Sequence, residues 1–574
     1  DIDRADVVEF NRRWNLSNTA NPTAEDMIES MATYSPLSGW NFRAGFGKLR
    51  RGVASDRWEV GVEFKRPRLP ELHYDLENIS RQDTTAVSPQ NSGAQSKWLR
   101  QRGTVTYSFW KLHPLLSYEG EDRRDTLPDS AAGFRFNSYT GGMNAQLFPN
   151  MKVGAVLNYR QDDFRSNFGL APKSTSTTQS YSWSLDRWRA LSADFSFTHR
   201  ERDFADSTQD TRADLADFRL RFSPYKRAID SDWQYQITTT QVAVQQRVFF
   251  RVPPGEGNYI FNPALNEYVP QRFGDYILRV IPTEDFVPVV ELRTRLNLRV
   301  KFGDLFRGAS PKSWKRYLLP VSTETFIRIE EKTRDPDIGE IYKLNLAHFL
   351  SPEYTIFGGQ SLRQDIYLWE NRRERSLRYR VIVLRELSNQ FIDEGLLQRD
   401  QWRHELRLTL SLTPKLSSQT EIIFNRDDKI FQESTRQDRL VRNRGGVVDL
   451  SYRPRSAWEI AAAVGASFDE DRAYTEPTKA RAVLFKPRTT YSLRGMSRLS
   501  AEVEWINVTV TPSNRALPYE LANGNRPGTT YRWNLTFEYR VSNFVNFFAS
   551  YLGHKEPDRA KIFHLAKMEI RAFF

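Results

Sequence analysis

Apolar and polar residues alternate in short runs along most of the chain. Clear examples are WEVGVEF at 58–64, LRTRLNLRVKF at 292–302 and YRWNLTFEYRV at 531–541, with similar runs at 402–412 and 458–468. A β-strand points successive side chains to opposite faces. The runs therefore predict strands with one apolar face and one polar or charged face.

Short and long connections alternate between these predicted strands. Short turns include TPKL at 413–416, RPRS at 453–456 and RGMS at 494–497, whereas 511–530 is a long loop. Short turns at one end and long loops at the other are typical of transmembrane barrels. We therefore predict an all-β fold, a transmembrane antiparallel up-and-down β-barrel of about 24 strands, within a range of roughly 22 to 26. The stretch 354–369 is interpreted either as two short strands around two glycines or as one strand.

The composition limits the alternatives. The chain has 574 residues and a net charge of +12, and no run approaches the ~18 consecutive apolar residues of a transmembrane helix. Aromatic residues, 13% of the total, often begin or end the apolar faces, as in the girdles of membrane barrels. Cysteine is absent, which excludes disulfides and fits an oxidising compartment. No signal peptide precedes DIDRADVVEF, so we expect a mature form or a fragment of a longer protein.

No catalytic or metal-binding pattern is visible. The seven histidines are scattered without the spacing of a zinc site, and GGQS at 358–361 is only half of a nucleophile-elbow motif. We therefore predict no enzyme activity, no catalytic residue, no metal and no cofactor. Nucleic acid is not expected as a partner, because the arginines alternate with apolar residues and share a face with Asp and Glu.

Residues 1–50 are assigned to a periplasmic N-terminal segment and residues 51–574 to the barrel. NPTAEDMIESMA at 21–32 carries a helix-start signal, Pro22 and Thr23 before an acidic first turn. A disordered arm, a short plug and a linker to a further N-terminal region all remain open.

A folded extracellular loop is predicted at about 253–290. It contains two matching units, GNYI and GDYI, and we single out Gly257, Tyr259, Tyr268, Gly274 and Tyr276. The loop lacks the dense Asp ladder of a calcium site, and no helix follows as in a dinucleotide-binding motif. A lid or self-packed loop is the first interpretation, and a ligand- or partner-binding role is the alternative.

A long connection at 303–319 falls at the end that otherwise has short turns. It is basic and aromatic through Trp314, Lys315, Arg316 and Tyr317. It is interpreted either as an irregular turn that covers the barrel mouth or as a contact for a periplasmic partner or for lipid headgroups.

From about residue 50 onward, the chain resembles bacterial outer-membrane β-barrel proteins. The alternating strands, the loop asymmetry and the terminal strand with Met568, Ile570, Ala572 and Phe574 carry the resemblance. The resemblance implies integral location in the outer membrane of a Gram-negative bacterium, contact with outer-membrane lipid, and recognition of the terminal strand by the barrel-assembly machinery.

A second resemblance concerns GNYIFNPALNEYVPQRFGDYIL, which is similar to a segment of large surface proteins of Bacteroidota-like bacteria. It implies that the chain is the C-terminal barrel of a larger surface or translocon protein. The plug domain of about 150 residues that a TonB-dependent transporter carries is absent from this sequence.

Two functions fit a barrel too wide to be filled by its own strand side chains. The first is a wide pore or translocation conduit with a plug or partner, and the alternative is a barrel that anchors a cell-surface assembly through its loops. The charges expected to line the lumen are Arg293, Arg295, Arg299, Lys301, Arg403, Glu405 and Arg407. Charges that face water predict anion preference, whereas charges that pair with neighbours favour the scaffold.

Overall fold

The computed structural model describes most of the chain. The described residues are 14–15, 26–50, 53–83, 95–126, 130–205, 210–253, 255–263, 267–308, 310, 313–370, 372, 374–391, 395–432, 437–493, 496–513, 517–540, 542, 544–559 and 561–572.

Twenty-seven strands account for most of these residues. In chain order they are β1 (Asp26–Tyr34), β2 (Trp40–Arg50), β3 (Val53–Phe64), β4 (Glu71–Asp83), β5 (Gln95–Thr106), β6 (Leu112–Thr126), β7 (Ala131–Phe148), β8 (Met151–Ser166), β9 (Gly169–Trp188), β10 (Leu191–Phe204), β11 (Thr211–Phe222), β12 (Ile229–Arg251), β13 (Gly257–Asn262), β14 (Glu267–Gly274), β15 (Tyr276–Lys301), β16 (Val321–Thr333), β17 (Thr355–Leu368), β18 (Arg375–Ser388), β19 (Leu396–Thr413), β20 (Leu416–Gln432), β21 (Arg439–Arg455), β22 (Trp458–Asp471), β23 (Thr478–Leu493), β24 (Ser497–Thr511), β25 (Gly528–Arg540), β26 (Val545–Lys555) and β27 (Phe563–Ala572).

Short helical turns interrupt the connections. The α-helical ones are Phe302–Leu305 and Ile338–Tyr342, and the 3₁₀ ones are Trp314–Leu318 and Leu346–His348. Pro224–Arg227 and Ala522–Gly524 are turns that contain left-handed backbone conformations.

The chain divides into two units, and unit 1 comprises residues 1–219 and 236–239. Its strands β1 to β10 form an antiparallel meander, each paired with the next in the chain. The register sets Phe46 opposite Trp58 and Tyr118 opposite Tyr139, whose rings lie 5.3 Å apart. Such cross-strand aromatic pairs stabilise one register over its neighbours.

Unit 2 comprises residues 220–235 and 240–574. Strands β15 to β27 form a second antiparallel meander. Strand β12 pairs with β15, and the hairpin of β13 and β14 is inserted between them in the chain. Of the 27 strands, the 25 outside this hairpin follow the up-and-down order. The predicted all-β antiparallel up-and-down fold is confirmed, and the strand number falls within the expected range.

The strands of each unit have an apolar face and a polar face. On β22 of unit 2, Phe468 is 54% exposed on the apolar face, whereas Asp469 beside it is buried on the polar face. On β7 of unit 1, Tyr139 and Met143 are likewise exposed on the apolar face. A wall of exposed apolar side chains needs an apolar solvent, which a lipid bilayer supplies.

We call the short-turn end the end at which most of the tight connections lie, although the two-residue turn at 167–168 of unit 1 lies at the other end. In unit 1 it includes the connections at 65–70, 107–111, 149–150 and 189–190; in unit 2 it includes those at 414–415, 456–457 and 541–544. The connection 302–320 lies at this end and is long, as the sequence predicts.

Two local expectations are settled by strand pairing. The stretch predicted to start a helix instead contains β1, because its backbone pairs along its length with β2, for example Ala32 with Ala44. Residues 26–50, assigned to the N-terminal segment, therefore contain two strands of the sheet. The stretch 354–369 is the single strand β17, in which a Cβ at Gly358 would collide with Glu331 of the neighbouring strand β16.

Candidate functional site

Glu405 gathers three arginines on the polar face of unit 2. Its carboxylate pairs with Arg378 and lies 3.6 Å from Arg403 and 3.5 Å from Arg407. Arg407 also contacts Glu421 at 2.6 Å. The alternation of β19 places Arg403, Glu405 and Arg407 on the same side of the strand, so that the carboxylate and the guanidinium groups neutralise one another.

Ion pairs of this kind continue across β17 to β25. They are Arg380 with Asp365 (2.6 Å), Arg399 with Asp427 (2.8 Å), Arg488 with Asp449, Lys486 with Glu502 (2.7 Å) and Arg532 with Glu504 (2.7 Å). We call the polar side of β18 to β24 the ion-paired face. It is strongly polar, yet most of its charge is compensated locally.

Four basic residues of β15 are expected to line the lumen. Three of them make ion pairs or hydrogen bonds with neighbouring side chains. Arg293 pairs with Glu291, Arg299 pairs with Glu370, and Arg295 donates a hydrogen bond to the Gln234 side chain. Lys301, at the end of β15, makes no ion pair within the part of the chain that the structure describes. These residues therefore do not form a row of free cations.

The predicted extracellular loop is a β-ribbon that extends beyond the sheet. Strand β15 pairs with β16 only from Val290 to Lys301, so its first half projects past the end of β16. The hairpin of β13 and β14 lies at the tip. Gly257 and Gly274 pack reciprocally, because a Cβ on either would collide with the backbone of Tyr276 or Tyr259 respectively. The two matching sequence units thus cross at their glycines.

Aromatic rings fill the ribbon next to this crossing. Tyr268 stacks on Phe249 at 4.2 Å and meets Tyr276 edge-on at 4.9 Å, while Phe249 meets Tyr259 edge-on at 5.1 Å. The tyrosines singled out in the sequence are therefore brought together and pack on one another. These ring contacts stabilise the ribbon tip.

The ribbon tip is fastened to the last strands of unit 2 by a contact that we call the latch. The ring of Phe273 stacks 3.9 Å from that of buried His554, and the Arg532 guanidinium lies 5.4 Å from the Phe273 ring centroid. Arg559 donates hydrogen bonds to the Phe273 carbonyl (3.1 Å) and to Asp275 (3.0 Å). Phe273 has a left-handed backbone with φ of 54°, which orients its ring toward His554 and is costly for an aromatic residue.

A second contact supports the ribbon along its length. Gln245 of β12 forms a parallel bridge with Phe391 in the connection between β18 and β19, and Arg247 lies 5.3 Å from the Phe391 ring. The ribbon therefore spans from β12 and β15 past β18 to β26. It lies at the end opposite the short turns.

Residues 517–527 of the loop between β24 and β25 fold onto the polar face near the latch. Leu521 and Ala522 are fully buried against Val441, Ile506 and Val508. Asp469 accepts a hydrogen bond of 2.6 Å from the Ala522 backbone. This small apolar core on an otherwise polar face holds the loop inward.

An ion pair completes the attachment of this loop. Glu520 lies 2.9 Å from Lys429 of β20. Burial alone would raise the pKa of the Glu520 carboxyl, but Lys429 and Arg439 outweigh it and hold the pKa below its ordinary value. The carboxylate therefore stays charged at neutral pH and stabilises the folded loop.

Unit 1 contains a polar face of another kind on β7 to β10, which we call the hydroxyl face. Asn158 donates hydrogen bonds of 2.8 Å to both Ser138 and Thr140, and Ser180 bonds Thr198 at 3.1 Å. Serine and threonine recur along β9 from Ser174 to Ser184. Neutral side chains make most of these contacts, beside an ion pair of Arg160 with Asp162 at 2.7 Å on the same face.

Trp14 and Asn15 of the N-terminal segment are docked on the polar face of β2 to β5. Trp14 is only 1% exposed, and a Cβ at Gly47 would strike its ring. Ser55 donates to the Trp14 carbonyl at 3.1 Å, and the Asn15 amide donates to Ser96 at 2.7 Å. Trp14 and Asn15 are thus held on the polar face at the end of unit 1 opposite its short-turn end.

The remaining predicted site residues lie apart from these contacts. Met568 and Ile570 are exposed on the apolar face of β27, Ala572 ends that strand, and Phe574 lies outside the described residues. The residues from Trp314 to Tyr317 are exposed at the short-turn end. Sequence reasoning missed Phe273, His554 and Arg559, and only the paired GNYI and GDYI units gave any signal of the ribbon.

Two kinds of feature are absent from the described residues. No helix in the ranges given above is long and apolar enough to cross a membrane. In the same ranges, no three histidine, aspartate or glutamate side chains converge as metal ligands would.

Comparison with known proteins gives structural neighbours of low sequence identity. No protein-family model matches the chain, and no curated protein is significantly similar in sequence. The siderophore receptor PirA of Pseudomonas aeruginosa is 8% identical over 90% of this chain and 78% of its own, with a TM-score of 0.31. The Escherichia coli outer membrane transporter YddB is 8% identical over 99% and 78%, with a TM-score of 0.29. A bacterial polysaccharide outer membrane secretin is 9% identical over 65% and 83%, with a TM-score of 0.22.

At such TM-scores these neighbours say nothing about the function of this chain. The assignment of its strands to a membrane depends on its own sheet. Exposed apolar residues alternate with polar ones along an antiparallel meander, and aromatic residues mark the strand ends. This alternation is typical of antiparallel strands that cross a membrane.

Proposed function

We propose that the chain is a wide outer-membrane conduit whose outer opening is covered by the ribbon. The observation that carries the proposal is the latch, in which Phe273 and Asp275 of the ribbon hold on to His554 and Arg559 of the last strands. A ribbon that only projects from the surface needs no contact with the polar side of a strand, which is the side that would face the bore. A cover over a water-filled bore does.

The ion-paired face supports a water-filled bore without strong ion preference. A barrel of this width is not filled by its own strand side chains. Charged side chains that neutralise one another, as around Glu405, keep the wall wet while leaving little net field. We therefore replace the expectation of anion preference by a conduit of weak selectivity.

Conductance in planar bilayers tests the latch directly. Arg559→Gln removes two hydrogen bonds to the ribbon, and Lys555→Gln is the matched control, because Lys555 is an exposed cation at the end of β26. We expect small or rare conductance steps from the wild type and from Lys555→Gln. Arg559→Gln should open large steps often, and Phe273→Ala should do the same.

Three results would decide against parts of the proposal. Folded, inserted Arg559→Gln protein with no conductance would reject the conduit. Large steady conductance in all four proteins would keep the conduit and reject the ribbon as its cover. A strong anion preference would show that the ion pairs do not screen the bore.

The scaffold is the second candidate function, and one observation favours it. The charges around Glu405 pair with one another, and such pairing is expected in a closed barrel that acts as a scaffold. In that case the ribbon would hold a partner outside the cell instead of covering a pore. The bilayer experiment separates the two functions, because a scaffold stays silent even when the latch is broken.

A further inference from the structure

A basic and aromatic surface lies at the short-turn end of unit 2, away from the ribbon. Two connections form it, 223–228 and 302–320. They are adjacent, because the Lys301 backbone donates a 2.7 Å hydrogen bond to the carbonyl of Ala228 just before the second connection begins. We call this surface the short-turn patch, and its residues are Tyr225, Lys226, Arg227, Trp314, Lys315, Arg316 and Tyr317.

The cations of the short-turn patch differ from those of the ion-paired face. Lys226, Arg227, Lys315 and Arg316 are all exposed, and none forms an ion pair with any residue that the structure describes. Elsewhere on the same connection Arg307 does pair, at 2.7 Å with Asp304. Four uncompensated cations on two adjacent turns repel one another and attract an external anion.

Aromatic rings stand exposed among these cations. Tyr225 is 69% exposed, Trp314 65% and Tyr317 84%, although each is large and amphipathic. The Lys315 ammonium lies 5.3 Å from the ring of Phe306, which shows that cation and ring already share this surface. Tryptophan and tyrosine are the residues that prefer the level of lipid headgroups.

The backbone of the first connection is held in an unfavourable conformation. Tyr225, Lys226 and Arg227 have φ values of 51°, 55° and 68°, three successive side chains in the left-handed region. Each costs on the order of 1 kcal/mol without glycine. Strain of this kind is retained where the displayed side chains have a role.

We propose that the short-turn patch binds anionic phospholipid headgroups in the leaflet at the short-turn end. The ligand class is a phosphodiester of net negative charge, which the four cations neutralise while the rings sit at the headgroup level. An anionic surface contributes about 1 kcal/mol for each nearby Lys or Arg, roughly fivefold in local lipid concentration. The proposal depends on the membrane location of the sheet and not on the conduit, so a silent bilayer recording leaves it standing.

Fluorescence quenching of Trp314 by brominated lipid tests the proposal. The full chain is refolded in phosphatidylcholine vesicles that contain the same fraction of either brominated phosphatidylglycerol or brominated phosphatidylcholine. The difference between the wild type and Trp314→Phe isolates the signal of Trp314 from that of the other tryptophans. We expect brominated phosphatidylglycerol to quench Trp314 more effectively than brominated phosphatidylcholine, by at least the roughly fivefold that one cation contributes.

Two fourfold variants with the same change in net charge complete the test. In K226Q/R227Q/K315Q/R316Q, the two brominated lipids should quench Trp314 equally. K65Q/R66Q/R68Q/K111Q removes four cations from short-turn connections of unit 1 and should keep the preference. A heat-dependent gel shift checks that each variant is folded before it is measured.

Equal quenching of the wild type by both lipids would overturn the proposal. So would absence of quenching by either lipid, which would place Trp314 in water and favour a periplasmic protein as the occupant. A preference that survives in the patch variant and disappears in the unit 1 variant would assign lipid binding to the other unit.

Discussion

The hydroxyl face of β7 to β10 and the ion-paired face of β18 to β24 present water-facing walls made from different side chains. Asn158 bridges Ser138 and Thr140 without any charge, whereas Glu405 holds three guanidinium groups. A neutral hydrogen-bonded wall tolerates the loss of one member, since water can replace a hydroxyl. An ion-paired wall does not, because each loss leaves an uncompensated charge.

The largest expected effect comes from removing the shared carboxylate. Glu405→Gln leaves Arg378, Arg403 and Arg407 without their common partner, and Glu405 is only 5% exposed. We expect the free energy of unfolding to fall by about 3 kcal/mol, the lower end for removing one partner of a buried pair. Urea titration of the protein folded in lipid vesicles measures it. If Glu405→Gln lowers the free energy of unfolding by less than Asn158→Ala does, the proposed difference between the two faces is wrong.

A smaller effect is expected on the hydroxyl face. Asn158→Ala removes two hydrogen bonds of 2.8 Å, and we expect a loss of about 1 kcal/mol. The same titration applies, and Ser180→Ala is the control in which one hydrogen bond, to Thr198, is lost. A loss as large as that of Glu405→Gln would mean that the hydroxyl face is not replaceable by water.

The smallest effect concerns pH and the inward loop. Because the pKa of Glu520 is lowered in the folded state, its contribution is present above the ordinary Glu pKa and is lost as the pH falls through the lowered value. Hydrogen exchange of the segment 517–527, corrected for intrinsic rates, should rise at acid pH in the wild type. Lys429→Gln should show the faster exchange at neutral pH and little change with acid. Equal pH dependence in both proteins would contradict the role of this ion pair.

The faces of the strands could be predicted from the sequence. The segments that pack on those faces could not. The side on which Arg403, Glu405 and Arg407 lie follows from alternation alone, since a strand needs only its own residues to set its faces. The latch could not be found that way, because Phe273 and Arg559 are far apart in sequence and Phe273 needs a left-handed backbone that no local pattern demands. The helix-start signal at 21–32 does not give a helix in β1, because pairing with β2 outweighs it.

The ribbon could be recognised as a unit, but its attachment could not. The repeated GNYI and GDYI units mark two positions at which only glycine fits against the opposite backbone. Nothing in those units specifies Arg559 as the residue that holds them. Likewise, a tryptophan in an N-terminal segment gives no sign that Gly47 leaves room for its ring.

The length of chain between the two halves of the latch has a consequence for assembly. Asp275 and Arg559 are separated by 284 positions, so the ribbon is made long before the strands that receive it. Contacts of such separation form late, because the intervening chain must first be ordered. Until β26 and β27 are in place the ribbon has nowhere to attach, and a truncated or stalled chain stays uncovered. The latch can therefore form only after the last strands have been inserted. The time at which the ribbon becomes resistant to protease would then measure when folding is complete.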